Sequence, residues 1–366
     1  MKIVFAVTGS SGHVTQVLLT ANALSDLGHE IRFITNCENS RVVEEAGYSA
    51  YSYCSVSGNQ EDFLNKILED IHKTSLQNYD LFATYADGTD LILGDGHTPC
   101  ATIFAEANKI PYVDLVITPA HLRESEIKKY FFNNLALVET NQLRNRLGLS
   151  SVDNIPGLIM ERDSLKIAIF PEEFGGATEC QKKIHYTNFP NFKSEPLPNT
   201  VADFLYKQKK PIVVTMGSGG KEAIFPKNFW EIIFELGNKH SLIILNHNDV
   251  YIKNKNVSFF SERLSYRSLF AEARCVINHG GMGTMATALF SEVPQIAIPQ
   301  MQENVLCAEL FSQVYNTKTI LPEDLTIEKL SHEIDMICDI IPKKLDDLDC
   351  GKMVIEILRN NKYIDE

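Results

Sequence analysis

The sequence predicts an α/β protein of two domains, each built on a parallel sheet. The chain has 366 residues, which is more than one hydrophobic core usually organises. Short apolar runs rich in β-branched residues alternate with longer segments of helical period, as in chains that form parallel sheets. The alternation fades between residues 172 and 209, where glycine and proline accumulate, and it then restarts.

The first half of the chain is typical of one doubly wound domain. Its predicted strands and helices follow one another at residues 3–7, 14–27, 31–35, 90–95, 98–108 and 110–116. The first apolar run is too short for a signal peptide, so we interpret it as a buried strand. We place this domain at residues 1–198.

The second half repeats the pattern. Its predicted strands and helices lie at residues 211–216, 228–236, 241–246, 257–262, 265–273, 275–279 and 295–299. Both halves open with an apolar strand that runs into a Gly/Ser loop, "VTGSSGH" and then "VTMGSGG". In doubly wound sheets such loops lie at the carboxyl ends of strands, where ligands bind. We place the second domain at residues 199–345 and a final helical segment at 346–366.

Composition excludes several classes of function. A net charge of −13 argues against general binding to nucleic acid or to an anionic membrane surface. No apolar stretch is long enough to predict a spanning helix. The eight cysteines are scattered without C-x-x-C or zinc spacing, which indicates reduced thiols in a cytoplasmic protein and no metal site.

The stretch "CVINHGGMGT" predicts an anion site. A predicted strand ends just before His279, and three glycines then let the backbone approach a ligand at the start of a helix. Free N–H groups and the positive end of the helix hold a diphosphate without lysine or arginine. The alternative interpretation is a simple glycine turn between strand and helix, with His279 as a polar side chain that fills the turn.

The same stretch resembles the donor-binding signature of family 1, UDP-glycosyltransferase-like enzymes of the GT-B fold. The opening segment "GSSGHVTQVLLTANALSDLGHEIRFIT" is similar to the N-terminal block of that family. The positions that carry the C-terminal resemblance are His279, Gly280, Gly281, Met282, Gly283, Thr284, Ala288, Leu289, Val293, Pro294, Pro299 and Glu303. The two blocks occur in matching order and span both halves of the chain.

The resemblance implies two Rossmann-like domains that face each other across a cleft. The first would bind a small hydroxylated acceptor and the second a nucleoside diphosphate sugar, with residues 346–366 crossing back to the first. Transfer would be inverting, would need no metal or resident cofactor, and would occur in a cytoplasmic monomer or homodimer.

The resemblance also implies the catalytic residues. His13 stands where the family has its general base, and a neutral imidazole has a pKa suited to taking a proton from a hydroxyl. Asp95 aligns with the aspartate that orients this base. The alternatives are a loop histidine at position 13 and an N-cap aspartate for the helix that follows, with His97 as a weaker competitor.

Further donor contacts are implied by position. Gly217 and Ser218 match a loop that touches the diphosphate, and Arg263 and Leu264 occupy the place where the family presents backbone to the nucleobase. The single tryptophan, Trp230, falls within a helical apolar pattern and is interpreted as core.

Three departures mark the donor site. The glutamate that accepts hydrogen bonds from both ribose hydroxyls in the family is Thr287 here, so ribose recognition must weaken or move. The Asp-Gln pair that contacts sugar hydroxyls is Glu303 and Asn304, which keeps an acid and an amide of changed length. The alternative for this pair is an ordinary first turn of a helix.

Acceptor contacts are expected from Gly12 and from the amphipathic segment at residues 122–149, where Tyr130 and Phe131 are the candidates and core packing is the alternative.

Two functions other than sugar transfer stay open. One is a nucleotide-sugar hydrolase in which His13 activates water. The other is a donor-binding partner protein without transfer. A peptidoglycan-type N-acetylglucosaminyltransferase fits the glycine loop, but its membrane docking is disfavoured by the acidic charge.

Overall fold

The protein is described by a computed structural model that divides into two compact units. The first comprises Met1–Pro190 with Asp349–Glu366, and the second comprises Asn191–Leu348. The sequence places the corresponding boundaries at residues 198 and 345. The structure describes residues 1–53, 73–96, 98–122, 136–154, 158, 162–175, 183–208, 210–217, 228–245, 256–260, 264–340 and 342–365.

The first unit contains a parallel sheet of order β3-β2-β1-β4-β5-β6-β7 in the part of the chain that is described. The strands are β1 (Lys2–Ala6), β2 (Glu30–Asn36), β3 (Ser49–Tyr53), β4 (Leu91–Gly94), β5 (Tyr112–Val116), β6 (Leu165–Ala168) and β7 (Ile184–Tyr186). Strand order reverses between β1 and β4, and the carboxyl ends of strands at such a switch point form a ligand site.

Helices follow the strands of this sheet. They are α1 (Ser11–Asp26), α2 (Cys37–Glu45), α3 (Tyr79–Tyr85), α4 (Pro99–Asn108), α5 (Leu137–Arg146) and α6 (Glu172–Gly175), with a 3₁₀ turn at Pro119–Leu122. Because β1 and β4 are central and covered on both faces, their apolar side chains are fully buried.

The second unit contains a parallel sheet of order β10-β9-β8-β11-β12-β13 among its described residues. The strands are β8 (Ile212–Thr215), β9 (Leu242–Leu245), β10 (Val257–Phe260), β11 (Cys275–Asn278), β12 (Gln295–Ala297) and β13 (Lys318–Thr319). The helices are α7 (Asn199–Lys207), α8 (Phe229–Leu236), α9 (Tyr266–Ala271), α10 (Met282–Phe290), α11 (Gln302–Tyr315) and α12 (Ile327–Ile337), with a 3₁₀ turn at Pro322–Asp324. Trp230 packs edge-on against Phe229, stacks on Phe234 and lies partly buried against the apolar core of this unit.

The last helix, α13 (Cys350–Asn360), packs against α1 within the first unit. Gly351 allows this approach, because a Cβ atom there would lie 2.5 Å from the carbonyl oxygen of Leu19. The Sγ atom of Cys350 lies 3.4 Å from the hydroxyl of Thr187, which joins the helix to the segment after β7.

Two predictions from composition can be compared with the structure. Within the described ranges, no helix is long and apolar enough to cross a membrane. The prediction that all cysteines are reduced is wrong at Cys37, which is in a disulfide bond. Scattered spacing along the chain does not reveal which thiols the fold brings together. The free thiols of the described part are Cys100, Cys275, Cys307, Cys338 and Cys350.

Candidate functional site

His13 lies in the first turn of α1, directly after the loop that leaves β1. Its backbone N–H donates to the carbonyl of Ser10, and 14% of its side chain is exposed. The ring packs over Gly9, whose φ of +89° is in the left-handed region. A Cβ atom at Gly9 would lie 2.8 Å from Nδ1 of His13, so the loop needs glycine both for its backbone angle and for the space that the ring occupies.

Asp95 follows β4 and is buried beside His13. Its Oδ2 lies 3.5 Å from Nδ1 of His13 and accepts a hydrogen bond from the backbone N–H of Thr8 at 3.2 Å. The alternative role as an N-cap is wrong, because the helix begins at Pro99 with Thr98 as its N-cap. The switch point of the first sheet therefore brings an imidazole and a buried carboxylate together, as the sequence predicts.

Two asparagine side chains hydrogen-bond the loop after β1, next to His13. Asn36 ends β2 and Asn39 lies in the first turn of α2, and both side-chain amides donate to the carbonyl oxygen of Gly9, at 3.2 and 3.0 Å. Asn39 is almost fully buried. The sequence analysis missed this pair. The signal available was two amides immediately after the second predicted strand, at the edge where ligands bind.

Only some of the residues predicted to bind the acceptor lie among those that the structure describes. Gly12 is exposed in the first turn of α1, one residue before His13. Tyr130 and Phe131 lie outside the described residues, as does His97, the weaker competitor of Asp95.

In the second unit, His279 follows β11 and its ring is enclosed by glycines. A Cβ atom at Gly217 would lie 2.5 Å from Cε1 of the ring, and one at Gly281 would lie 2.4 Å from Nε2. Burial lowers the pKa of His279 to about 4, so the imidazole is neutral near pH 7. Its Nδ1 is buried without a hydrogen-bond partner among the residues that the structure describes.

The loop between β11 and α10 is shaped by Asn278, which the sequence analysis missed. Its Oδ1 accepts a hydrogen bond from the backbone N–H of Gly280 at 2.8 Å. Its Nδ2 donates to Gln295, whose own amide donates to the carbonyl of Met285 in α10. The N–H of Gly280 is therefore hydrogen-bonded within the protein, and donor binding by this residue stays a prediction. The N–H groups that begin α10, at Met282, Gly283 and Thr284, have no acceptor within the helix.

Gly280 also brings the loop close to α11. Its φ is +80°, and a Cβ atom there would lie 2.9 Å from the backbone oxygen of Asn304. The side chain of Asn304 is buried, and its Oδ1 has no hydrogen-bond partner in the described part of the chain. Glu303 lies in the first turn of α11 and is partly buried. The predicted acid and amide are thus placed beside the glycine loop, with one acceptor oxygen unused.

Thr287 lies one turn into α10, and its hydroxyl donates to the carbonyl of Gly283 at 2.8 Å. A threonine has no carboxylate to offer a ligand, and its hydroxyl is already bound to its own helix. Gly217 follows β8 with a φ of +70°. Leu264 is buried in the core cluster that includes Val213. Ser218 and Arg263 lie outside the described residues.

Each unit therefore presents one chemical arrangement at the carboxyl ends of its central strands. The first holds a histidine against a buried carboxylate, which suits proton transfer. The second holds a neutral histidine and the start of a helix, which suits an anion. Within the described ranges, no group of three or more His, Cys, Asp or Glu side chains is arranged to hold a metal ion.

Known proteins that resemble the chain in sequence or in structure include glycosyltransferases. The chain is 22% identical over 352 residues to the NDP-glycosyltransferase YjiC of Bacillus licheniformis, with 88% of this chain and 86% of that protein covered. The solved glycotransferase of kitacinnamycin matches with a TM-score of 0.71 and 15% identity over 99% of this chain and 94% of its own. The spinosyn rhamnosyltransferase SpnG complexed with thymidine diphosphate matches with a TM-score of 0.70 and 14% identity, over 98% and 95% of the two chains.

No protein-family model matches the chain. The matches above nevertheless confirm three predictions made from the sequence: the resemblance to glycosyltransferases, the GT-B fold of two parallel-sheet α/β domains, and the enzyme class.

Proposed function

We propose that this chain, which has the GT-B fold of glycosyltransferases, transfers a sugar from a nucleoside diphosphate donor to a hydroxyl group of a small acceptor. The observation that carries the proposal is the 3.5 Å separation between Nδ1 of His13 and Oδ2 of Asp95. Binding a donor alone does not require an imidazole held against a buried carboxylate, whereas such a pair is suited to deprotonating a hydroxyl.

His13 acts as the general base. Asp95 faces Nδ1, so it fixes the tautomer with the proton on Nδ1 and leaves Nε2 to accept the proton of the acceptor hydroxyl. As the acceptor oxygen bonds to the anomeric carbon, the diphosphate leaves from the opposite face and the configuration inverts. Asp95 then stabilises the imidazolium. Such base catalysis contributes about 10² to 10⁴ in rate.

The second unit holds the donor diphosphate. The first N–H groups of α10 point at the anion, and the helix dipole favours its charge. Neutral His279 offers a further donor or acceptor beside them. We propose that this arrangement stabilises the leaving diphosphate without a metal ion or a resident cofactor.

Thymidine diphosphate sugars are the donors that the site favours. A ribose presents two hydroxyls where the family that the sequence resembles supplies a glutamate, and a 2′-deoxyribose presents only one. A glutamate would accept two hydrogen bonds from a ribose and one from a 2′-deoxyribose. Thr287 has no carboxylate and its hydroxyl is bound to its own helix, so its presence weakens the binding of a ribonucleotide more than that of a deoxyribonucleotide. SpnG, one of the similar structures, is itself complexed with thymidine diphosphate.

Glu303 and Asn304 select the transferred sugar. The unpaired Oδ1 of Asn304 accepts a hydrogen bond from a sugar hydroxyl, since a buried acceptor left unpaired in the complex would cost about 1–3 kcal/mol. The acceptor, by analogy with the enzymes of kitacinnamycin and spinosyn, is a small natural product that carries a hydroxyl and is bound near Gly12.

One assay separates transfer from its alternatives. The protein is incubated with a panel of UDP- and dTDP-sugars, with and without hydroxylated natural products, and free nucleoside diphosphate is measured. Release that depends on the acceptor supports transfer, release in water alone indicates a hydrolase, and absence of release with tight nucleotide binding indicates a partner protein.

Two variants test the proposed roles of His13 as the base and of the glycine loop as the diphosphate site. His13→Ala should abolish release and leave nucleotide affinity within about a few-fold, because His13 acts on the acceptor. His332→Ala, which changes an exposed histidine of α12, is the matched control. Gly281→Val should weaken nucleoside diphosphate binding far more than nucleoside binding, because its side chain displaces His279 from the loop. Loss of nucleotide binding in His13→Ala would contradict its assignment as the base.

A further inference from the structure

The chain between β12 and α11 lies against the loop between β11 and α10. The backbone N–H of Ile298 donates to the carbonyl of Asn278, the last residue of β11, at 2.7 Å. Further along, the backbone oxygen of Asn304 would lie 2.9 Å from a Cβ atom at Gly280. Gln300 lies between these two contacts in the chain. It is therefore held at the carboxyl edge of the sheet, next to the loop to which the donor diphosphate is assigned.

The amide of Gln300 has an unused donor. The side chain is partly buried, and its Nε2 atom is buried without a hydrogen-bond partner among the described residues. An amide nitrogen carries two hydrogens, and buried polar groups of native proteins are nearly always paired. The unpaired nitrogen therefore indicates a bound group that accepts a hydrogen bond at this edge.

Unpaired polar atoms are concentrated here. In the described part of the second unit, buried side-chain atoms without a hydrogen-bond partner belong to Arg267, His279, Gln300, Asn304 and Ser331. Three of these five residues lie on the two neighbouring segments that follow β11 and β12, whereas α9 and α12 contribute one each. Such a concentration is typical of a ligand site, because isolated unpaired groups would be scattered over the core.

Gln300 and Asn304 offer opposite hydrogen-bonding groups. The unused Nε2 of Gln300 donates, whereas the unused Oδ1 of Asn304 accepts. Sugar hydroxyls meet both needs, because a hydroxyl oxygen accepts and its hydrogen donates. A ring carbon without an oxygen meets neither need, and an ammonium substituent only donates. The two side chains therefore match hydroxylated positions of a sugar better than deoxy or amino positions.

We propose that Gln300 is a specificity-determining residue for the transferred sugar. Its amide N–H donates to a hydroxyl oxygen of the hexose, and together with Asn304 it favours hydroxylated hexoses over their deoxy and amino analogues. This inference rests on the proposed binding of a nucleoside diphosphate sugar by the second unit, and it adds the class of sugar.

Calorimetric titration of the full-length protein with dTDP, dTDP-glucose and the monodeoxy analogues of dTDP-glucose tests the contact. In the wild type, removal of the hydroxyl that Gln300 binds should weaken binding about three- to tenfold, as expected for one hydrogen bond. Gln300→Met has a side chain of similar length without the amide. In this variant, removal of the same hydroxyl should cost nothing further, because the contact is already lost. The affinity for dTDP itself should equal that of the wild type.

The unfolding temperature without ligand separates this role from a structural one. Because Nε2 of Gln300 has no partner within the described protein, Gln300→Met should be at least as stable as the wild type. A clear fall in its unfolding temperature would show that the amide is paired within the protein, and would overturn the proposal. Gln313→Met, which changes an exposed glutamine of α11, is the matched control and should follow the wild type in every titration.

Failure of this inference and failure of the proposed transfer give different results. If every monodeoxy analogue weakens binding equally in wild type and Gln300→Met, Gln300 contacts no hydroxyl and the proposal is overturned, whereas transfer is unaffected. If the wild type binds dTDP-glucose but releases no dTDP with any acceptor, transfer fails and the titrations still decide the role of Gln300. A wild type that binds dTDP-glucose no more tightly than dTDP would overturn the sugar contact outright.

Discussion

A side chain at Gly9 and the ring of His13 cannot occupy the same space: a Cβ atom at Gly9 would lie 2.8 Å from Nδ1 of His13. That nitrogen is the one that faces Asp95. The glycine therefore determines where the imidazole stands and, in the proposed transfer, leaves Nε2 as the nitrogen that faces the acceptor. The carbonyl of the same residue is held by Asn36 and Asn39, so the loop cannot relax away from the ring easily.

Gly9→Ala should lower kcat by about tenfold or more, because a displaced base no longer reaches the acceptor hydroxyl. The affinity for dTDP should stay unchanged, since the proposed donor site lies in the second unit. Gly28→Ala is a matched control: its φ of +83° imposes similar backbone strain, but a Cβ atom there meets nothing within 4 Å. Equal losses of kcat in the two variants, at equal stability, would show that backbone strain and not the ring contact is responsible.

His279 makes the stability of the second unit depend on pH. Its pKa is about 4 in the folded protein and 6.5 when unperturbed, so the neutral ring stabilises the fold fully above pH 6.5. That stability is lost as the pH falls towards 4, and the complete difference is about 3 kcal/mol. Urea unfolding of wild type and His279→Gln at several pH values measures it. The variant should have the shallower pH dependence between pH 6.5 and 4. The exposed-site variant His332→Gln should follow the wild type.

The Asn278 amide should matter for both stability and donor binding. Asn278→Ala leaves the N–H of Gly280 and the Oε1 atom of Gln295 buried without their partners, which should cost about 1–3 kcal/mol. A loosened loop should also weaken dTDP binding, measured by calorimetry well below the unfolding temperature. Ser241→Ala removes a hydrogen bond to Gln208 at the opposite end of the sheet and should leave dTDP affinity unchanged.

The sequence predicts the elements that carry strong periodicity and the residues that end them. Asp95 closes an apolar run, so its place at the carboxyl edge beside His13 follows from parallel pairing alone. The three residues of β7 fall within the stretch where periodicity fades, and so short a strand has no detectable period.

Two of the missed residues share a physical reason. Asn36 and Asn39 act through side-chain amides that donate to the carbonyl of Gly9, a backbone group distant in the chain. Such hydrogen bonds depend on tertiary positions and on which way an amide points, neither of which is encoded in local spacing. Asn278 differs, because the N–H of Gly280 that it binds lies only two residues further on: the glycine pattern shows that the backbone can approach a ligand, not that every N–H is unused.

Thr287→Glu tests the origin of donor choice. A carboxylate at this position of α10 should accept hydrogen bonds from both hydroxyls of a ribose and from the single hydroxyl of a 2′-deoxyribose. The affinity for UDP should therefore rise relative to that for dTDP, by about tenfold for one additional charge-assisted hydrogen bond. Thr287→Val is the control, since it removes the hydroxyl bound to Gly283 without adding an acceptor, and it should leave the ratio of the two dissociation constants unchanged. If Thr287→Glu weakens both nucleotides equally, the nucleoside lies elsewhere and donor choice does not depend on this turn of the helix.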